Sequence, residues 1–196
     1  MTRGLRLACC FLICSAGVAG TACQLPRPKT TPARTLEPLL VAPSQGSPSS
    51  PDAIPVRLLQ TQARGHIARR LLRERPDGEL AEDPVWRWTT SPHIYLDTAM
   101  RMALSSTPGV RLVDSADAAG LTVTLIAWQL AGTGTQPALA GGLEVVLVGR
   151  DRVVRTQVLR DSEPVSAELP GTLAAASGRL MQRLAASSVA LATVAR

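Results

Sequence analysis

Every cysteine of this chain, Cys9, Cys10, Cys14 and Cys23, lies within the first 23 residues. Whatever folds downstream has no thiol for a disulfide, a zinc site or a nucleophile. It must be held by its own apolar core, and the roughly 140 residues beyond residue 53 are enough to supply one.

The cysteine-bearing segment has a pattern of its own. Arg3 and Arg6 precede an apolar run from Leu7 to Ala19, which closes on small residues in Val18-Ala19-Gly20-Thr21-Ala22-Cys23. A positive start, a short apolar core and a small-residue end make a secretory signal peptide. A cysteine directly after the small residues resembles a bacterial lipobox, in which Cys23 is acylated and becomes the first mature residue. An ordinary secretory signal and an uncleaved anchor are the other readings, although the run is short of the about 20 residues a spanning helix needs. Stable anchoring takes more than one acyl chain, which a multiply acylated cysteine provides. Gln24 rather than Asp after the cysteine favours the outer over the inner membrane, by analogy with enterobacterial sorting. The expected location is the periplasmic face of the envelope.

Removing the leader takes away Arg3 and Arg6 and lowers the formal charge from +6 to +4. The basic excess gathers in Arg57, Arg64, Arg69, Arg70, Arg73 and Arg75, against Glu74 alone. Aromatics are scarce in that stretch and the chain is exported, so nucleic acid is not an expected partner. A solvated face is one reading; contact of Arg69, Arg70 and Arg73 with anionic headgroups or an acidic partner is the other.

Residues 1–22 read as signal peptide and 23–53 as a lipidated N-terminus with a Pro-, Ser- and Thr-rich linker. Residues 54–196 read as one folded domain. Pro26, Pro28, Pro32, Pro38, Pro43, Pro48 and Pro51 remove backbone donors through the linker. Extended at ~3.1 Å per residue, it would reach roughly 90 Å. Its one apolar patch, Leu36 to Val41, is a candidate edge strand.

Within the domain, Ile54 to Leu59 and Ile67 to Arg75 read as strands, with helix an alternative for Gln62 to Arg73. Arg75-Pro76-Asp77-Gly78-Glu79 reads as a turn. Ser91-Pro92 opens a helix with Ser91 as side-chain cap. Leu96, Ala99, Met100, Ala103 and Leu104 form its apolar face and Asp97 pairs Arg101; Pro108-Gly109 ends it. Val110 to Val113 is a short strand. In the strand Leu121 to Leu130, alternation sends Leu121, Val123, Leu125 and Ala127 one way and Thr122, Thr124, Ile126 and Trp128 the other. Leu143 to Val148 and Val153 to Leu159 form a hairpin across a turn at Gly149-Arg150-Asp151-Arg152. A final helix from Thr172 to about Ala195 carries the seam Leu173, Ala176, Leu180, Leu184 and Leu191, with Arg179 and Arg183 outside it. The order predicts an α+β two-layer sandwich, with a mainly antiparallel sheet and two helices on one face.

Catalytic patterns are absent. His66 and His93 lack metal-ligand spacing, and no Gly-x-Ser-x-Gly elbow or Ser/His/Asp order is present. Gly132-Thr133-Gly134 and Gly141-Gly142 read as loop glycines without a phosphate cradle. Glu82-Asp83 and Asp114/Asp117 read as solvated turn residues. No enzyme activity, metal or cofactor is expected.

Trp86-Arg87-Trp88, followed by Pro92 and Tyr95, gathers three of the chain's five aromatic residues. Large rings pack a helix onto a sheet, or they form hot spots for a partner. Trp86, Trp88, Pro92 and Tyr95 are therefore candidate partner-binding residues as well as candidate core.

The order of these segments resembles the ABC-type transport auxiliary lipoproteins, the paraquat-inducible lipoprotein C group. The likeness runs from about Arg34 to the C-terminus. It is carried by the lipobox, Thr35-Leu36-Glu37-Pro38, the two first strands, Trp88-Thr89-Thr90-Ser91-Pro92 leading into Tyr95-Leu96, and the long strand, hairpin and Ala-rich last helix. The resemblance implies a non-enzymatic subunit that accompanies a transporter with mammalian-cell-entry (MCE) domains. Its expected partners are the MCE-domain protein, the ABC permease and the membrane holding its anchor. It would assist lipid passage between inner and outer membranes; direct phospholipid binding and homo-oligomerisation stay open. An outer-membrane lipoprotein that activates a peptidoglycan synthase is the alternative.

Overall fold

Thirteen residues rich in Leu, Val, Thr and Ile make β6 (Ala119–Ala131) the strand on which the sheet is assembled. In the computed structural model, which describes residues 32–43, 52–132, 137–149 and 153–194, neighbours line both of its edges. β7 (Ala138–Val148) runs antiparallel along one whole edge, and β8 (Val154–Pro164) pairs antiparallel onto β7. The other edge is shared: β2 (Ile54–Ala63) lies parallel to the first half of β6 and β3 (Arg70–Glu74) parallel to the second. β5 (Val110–Leu112) extends the sheet beyond β2. β4 (Leu80–Trp88) forms a hairpin with β3, and β1 (Arg34–Leu36) pairs parallel to β4. The leader, Cys23, residues 44–51, the Thr133-Gly134 loop and the Arg150–Arg152 turn lie outside the described residues.

The fold is α+β, with helices α1 (Pro92–Ser106) and α2 (Pro170–Val194) beside an eight-stranded sheet. α1 packs on β2 and β5, α2 on β7 and β8, and the helices touch each other. The sheet is mixed rather than purely antiparallel: β6–β7, β7–β8 and β3–β4 pair antiparallel, the others parallel. The chain passes through α1 before β5 and β6 are laid down, and a crossover of that length returns strands in the same sense. Among the described residues, no helix is long and apolar enough to cross a membrane.

Strand β4 escaped the sequence reading because Glu82, Asp83 and Pro84 are poor strand formers. Asp83 compensates with its side chain, accepting hydrogen bonds from the amides of Val85 and Trp86 at 2.8 and 2.9 Å. The turn before β4 forms as expected, with Gly78 at φ +83 and Arg75 N–H bonded to the Glu79 carbonyl at 2.8 Å. α1 begins at the expected place, but the Ser91 side chain makes no cap bond. Its carbonyl accepts from Ile94 N–H instead, and Pro92 needs no partner at the first helical position.

The register of β6 shifts between Leu125 and Ala127, leaving Ile126 as an extra residue against β7. A bulge inverts the alternation beyond it. Leu121, Val123 and Leu125 are buried before it, and Trp128 and Leu130 after it. Trp128 thus joins the buried side instead of pointing away, as strict alternation predicts. Gly141 and Gly142 sit in β7 opposite Trp128 and Ala127, not in a loop. A Cβ at Gly141 would stand 2.8 Å from the end of the Leu184 side chain and 3.0 Å from Trp128, so glycine there lets α2 pack closely over the bulge.

The folded unit also begins earlier than residue 54. Arg34, Thr35 and Leu36 pair with Trp86, Arg87 and Trp88, and Leu36 is buried. The chain then crosses α2 as a strap. Leu39 N–H donates to the Ala174 carbonyl at 2.9 Å, and Gln182 Nε2 to the Val41 carbonyl at 2.6 Å. Gly178 lies at the crossing, where a Cβ would run into the Leu39 carbonyl. Proline content suggested linker, but a proline-rich segment can pack where its few donors are met. Gly178→Ala is expected to cost about 1–3 kcal/mol and to free the strap. Faster tryptic cleavage after Arg34, read by mass spectrometry, would show the release.

Candidate docking site

The aromatic cluster is held by β4 and the junction it makes with α1. Trp86, Trp88 and Tyr95 are 5%, 1% and 9% exposed, and Pro92 is buried. The alternation of β4 turns both tryptophans inward, and Trp88 meets Trp128 with ring centroids 6.1 Å apart at 52°. The indole N–H groups of Trp88 and Trp128 have no hydrogen-bond partner among the described residues. What these rings contribute is therefore apolar packing. The candidate docking surface of Trp86, Trp88, Pro92 and Tyr95 is corrected accordingly: the side chains form core, with no face offered to a partner. Trp88→Ala is expected to destabilise by about 3–5 kcal/mol, and Trp88→Phe by clearly less because no hydrogen bond is lost. Chemical denaturation of both, with Trp128→Phe in a double-mutant cycle, should return a coupling of about 0.5–1.5 kcal/mol.

From Arg69 to Arg75 the arginine stretch is committed to partners within the domain. Arg69 Nη2 donates to the Thr89 carbonyl at 2.6 Å. Arg70 pairs with Glu82, and Arg75 with Glu79 at 3.1 Å. Arg73 bridges Asp83 at 2.8 Å and Glu168 at 2.7 Å, tying β3, β4 and the entry to α2 together. Arg69, Arg70 and Arg73 thus do not form a free cationic patch as a set; only Arg69 lacks a carboxylate.

Asp83 is the polar residue that sequence reasoning undervalued. It is 5% exposed rather than a solvated turn carboxylate. Burial works to raise its pKa, but the Arg73 guanidinium and the amides of Trp86 and Val85 outweigh that and hold it below the usual range. Arg73 is raised, first by its bond to Glu168 and then by Asp83. A second network links α2 to β8, where Arg183 holds Asp161 at 2.8 Å and Arg179 holds Glu163 at 2.6 Å. Asp161 is lowered chiefly by Arg183; Glu163 is lowered by Arg179 and Arg183 against the effect of burial. The seam residues Leu173, Ala176, Leu180 and Leu184 are buried, so these arginines lie outside the core as expected.

A carboxylate whose folded pKa is depressed stabilises the fold above its unfolded pKa, and that contribution is lost as pH falls through the folded value. With Asp83, Asp161 and Glu163 all lowered, Tm should be flat near neutrality and fall below about pH 4. Asp83→Asn should lower Tm at neutral pH and flatten the acid limb in melts taken across pH.

His66 is exposed in the β2–β3 connection, and His93 sits at the start of α1. Among the described residues, no group of three or more His, Cys, Asp or Glu is placed to hold a metal ion. A cleft of about 620 Å³ is lined by Arg57, Leu59, Asp117, Gly120 and Val148. Another of about 150 Å³ lies between Leu191 of α2 and Val145, Leu147 and Arg155 of β7 and β8.

Solved structures share this arrangement. Protein XCC0632 from Xanthomonas campestris, of the DUF330 family, superposes with a TM-score of 0.62 at 18% identity, over 80% of this chain and 92% of its own. The fold is that of XCC0632. The hypothetical protein CT253 from Chlamydia trachomatis reaches 0.53 at 12% identity, over 71% of this chain and 95% of its own. An uncharacterized protein matches with 0.58 at 11% identity, over 85% of this chain and 100% of its own. No protein-family model matches the chain, and no curated protein sequence does.

Proposed function

We propose that this is a non-enzymatic, lipid-anchored protein of the bacterial envelope that serves as auxiliary subunit of an MCE-type ABC lipid transporter. Cys23 carries the anchor, and the domain docks on the transport assembly from the periplasmic side. The observation that carries this reading joins two sequence signatures. Thr35-Leu36-Glu37-Pro38 and Trp88-Thr89-Thr90-Ser91-Pro92 lie some fifty residues apart, yet they meet as neighbouring strands. Leu36 pairs with Trp88, and its carbonyl accepts from Thr89 N–H at 2.8 Å and Thr89 Oγ1 at 3.1 Å. Segments that carry a resemblance and also hold each other in place behave as one fold signature, not as chance matches. The shared fold with the DUF330 protein is consistent with the reading.

The non-enzymatic part rests on chemistry. The partly buried charged network of Arg73, Asp83 and Glu168 is saturated by its own members, so none of the three is poised as a proton acceptor. What the surface does offer is a long edge: among the described residues β8 pairs only with β7, and Val154 and Val158 on it are 59% and 50% exposed. Such an edge suits docking of another chain.

Cys23→Ser should abolish membrane retention or leave full-length precursor, read by fractionation and intact mass; unchanged retention and mass would refute the anchor. A mild-detergent pull-down of the tagged full-length protein should recover an MCE-domain protein or its permease. Recovery of a penicillin-binding protein instead would favour the peptidoglycan-synthase activator.

A further inference from the structure

We propose that the β1–β4 edge of the sheet rests against an anionic phospholipid surface, held there by the protein's own anchor. The inference rests on the lipid-anchor reading of Cys23. With β1 part of the folded unit, the chain between Cys23 and the first strand residue, Arg34, is only the ten residues 24–33. Fully extended they reach roughly 36 Å. A domain of this length is about 40 Å across. The tether is thus no longer than the domain is wide, far short of the reach of a linker running to residue 53. Its attachment point selects which edge faces the bilayer.

That edge is cationic. Arg34, Arg69 and Arg87 are all exposed, and no carboxylate among the described residues pairs with any of them. All three lie on or beside β4: Arg34 is opposite Trp86, Arg87 is opposite Thr35, and the Arg69 carbonyl accepts from Trp88 N–H. Two are fixed by groups that leave their charge intact. The Arg34 guanidinium stands 5.7 Å over the Trp86 ring, and Arg69 is bonded to the Thr89 carbonyl. Arg70, Arg73 and Arg75 close by are more than matched by four carboxylates, Glu82, Asp83, Glu168 and Glu79, one negative charge in excess behind the edge. Glu37, beyond the far end of β1, is the one exposed acid adjoining the strand, so the edge keeps a positive balance. A fixed positive edge at the end of a short lipid tether is the arrangement that anionic headgroups attract, at about fivefold in binding per arginine.

The test uses the full-length acylated protein in vesicles of phosphatidylethanolamine with phosphatidylglycerol, and in vesicles of phosphatidylcholine alone. A bimane label is placed at Thr35→Cys on the proposed edge, or at Val158→Cys on β8. Following β1, β4, β3, β6, β7 and β8 across the sheet, β8 lies five strand spacings away, roughly 24 Å. Headgroup spin-labelled lipid should quench the Thr35→Cys label several-fold more than the Val158→Cys label in the anionic vesicles. The contrast should vanish in phosphatidylcholine, at high salt, and in Arg34→Gln/Arg69→Gln/Arg87→Gln. The triple Lys variant should keep it, separating charge from packing against Trp86. Equal quenching at both positions, or a contrast indifferent to charge, in protein that is acylated and incorporated would overturn the membrane edge and leave the lipid anchor standing. Protein that carries no acyl group and does not incorporate would overturn both.

Discussion

The contact of Trp88 with Trp128 beneath α2 is the constraint on which the remaining architecture depends. Trp128 reaches that position only because the bulge at Ile126 turns the end of β6 over. α2 lies close over it where Gly141 has no side chain to push Leu184 and Trp128 apart. Trp88 in turn stands at the end of β4, opposite Leu36, the last residue of β1, and four residues before α1 begins. Three strands and both helices therefore share one packed junction. Its indole nitrogens are unpartnered among the described residues, so area and shape hold it, and shape is intolerant of a missing ring.

Charge plays a complementary part. The arginines concentrated in residues 57–75 suggest an external ligand when read as a string, yet Arg73 is satisfied by Asp83 and Glu168, which are ten and 95 positions away. Arg179 and Arg183 likewise close onto β8 through Asp161 and Glu163. Partly buried pairs of this kind fix how elements join more than they add stability. Among the described residues, the arginines without a carboxylate partner are those at the β1–β4 corner, on β2 and β5, and on β8.

Much of the architecture was legible from local chemistry. Period-two alternation, the Pro-Asp-Gly turn and the Ser-Pro helix start each mark a place where the backbone has few choices. The misses have physical causes too. β4 contains Pro84 and two acids, and becomes a strand because Asp83 supplies local hydrogen bonds from its side chain. The direction of Trp128 depends on one extra residue whose effect is visible only against β7. The aromatic candidates are buried, and residue type alone does not distinguish an anchor for a partner from an anchor for the protein's own helix.

What the sequence determined by itself was the class of molecule: an apolar leader ending at Cys23, a cysteine-free α+β domain, and no pattern that catalysis would need. Those follow from composition and from short-range periodicity, which act within a few residues. Tertiary structure alone decided where the domain begins, which face Trp128 takes and which arginines remain free. Each of those depends on a partner distant in sequence: Leu36 on Trp88, Leu39 on Ala174, Arg73 on Glu168. A strand segment of three residues has no stability until the neighbouring strand exists, and a charge is free or paired only once the chain has closed around it.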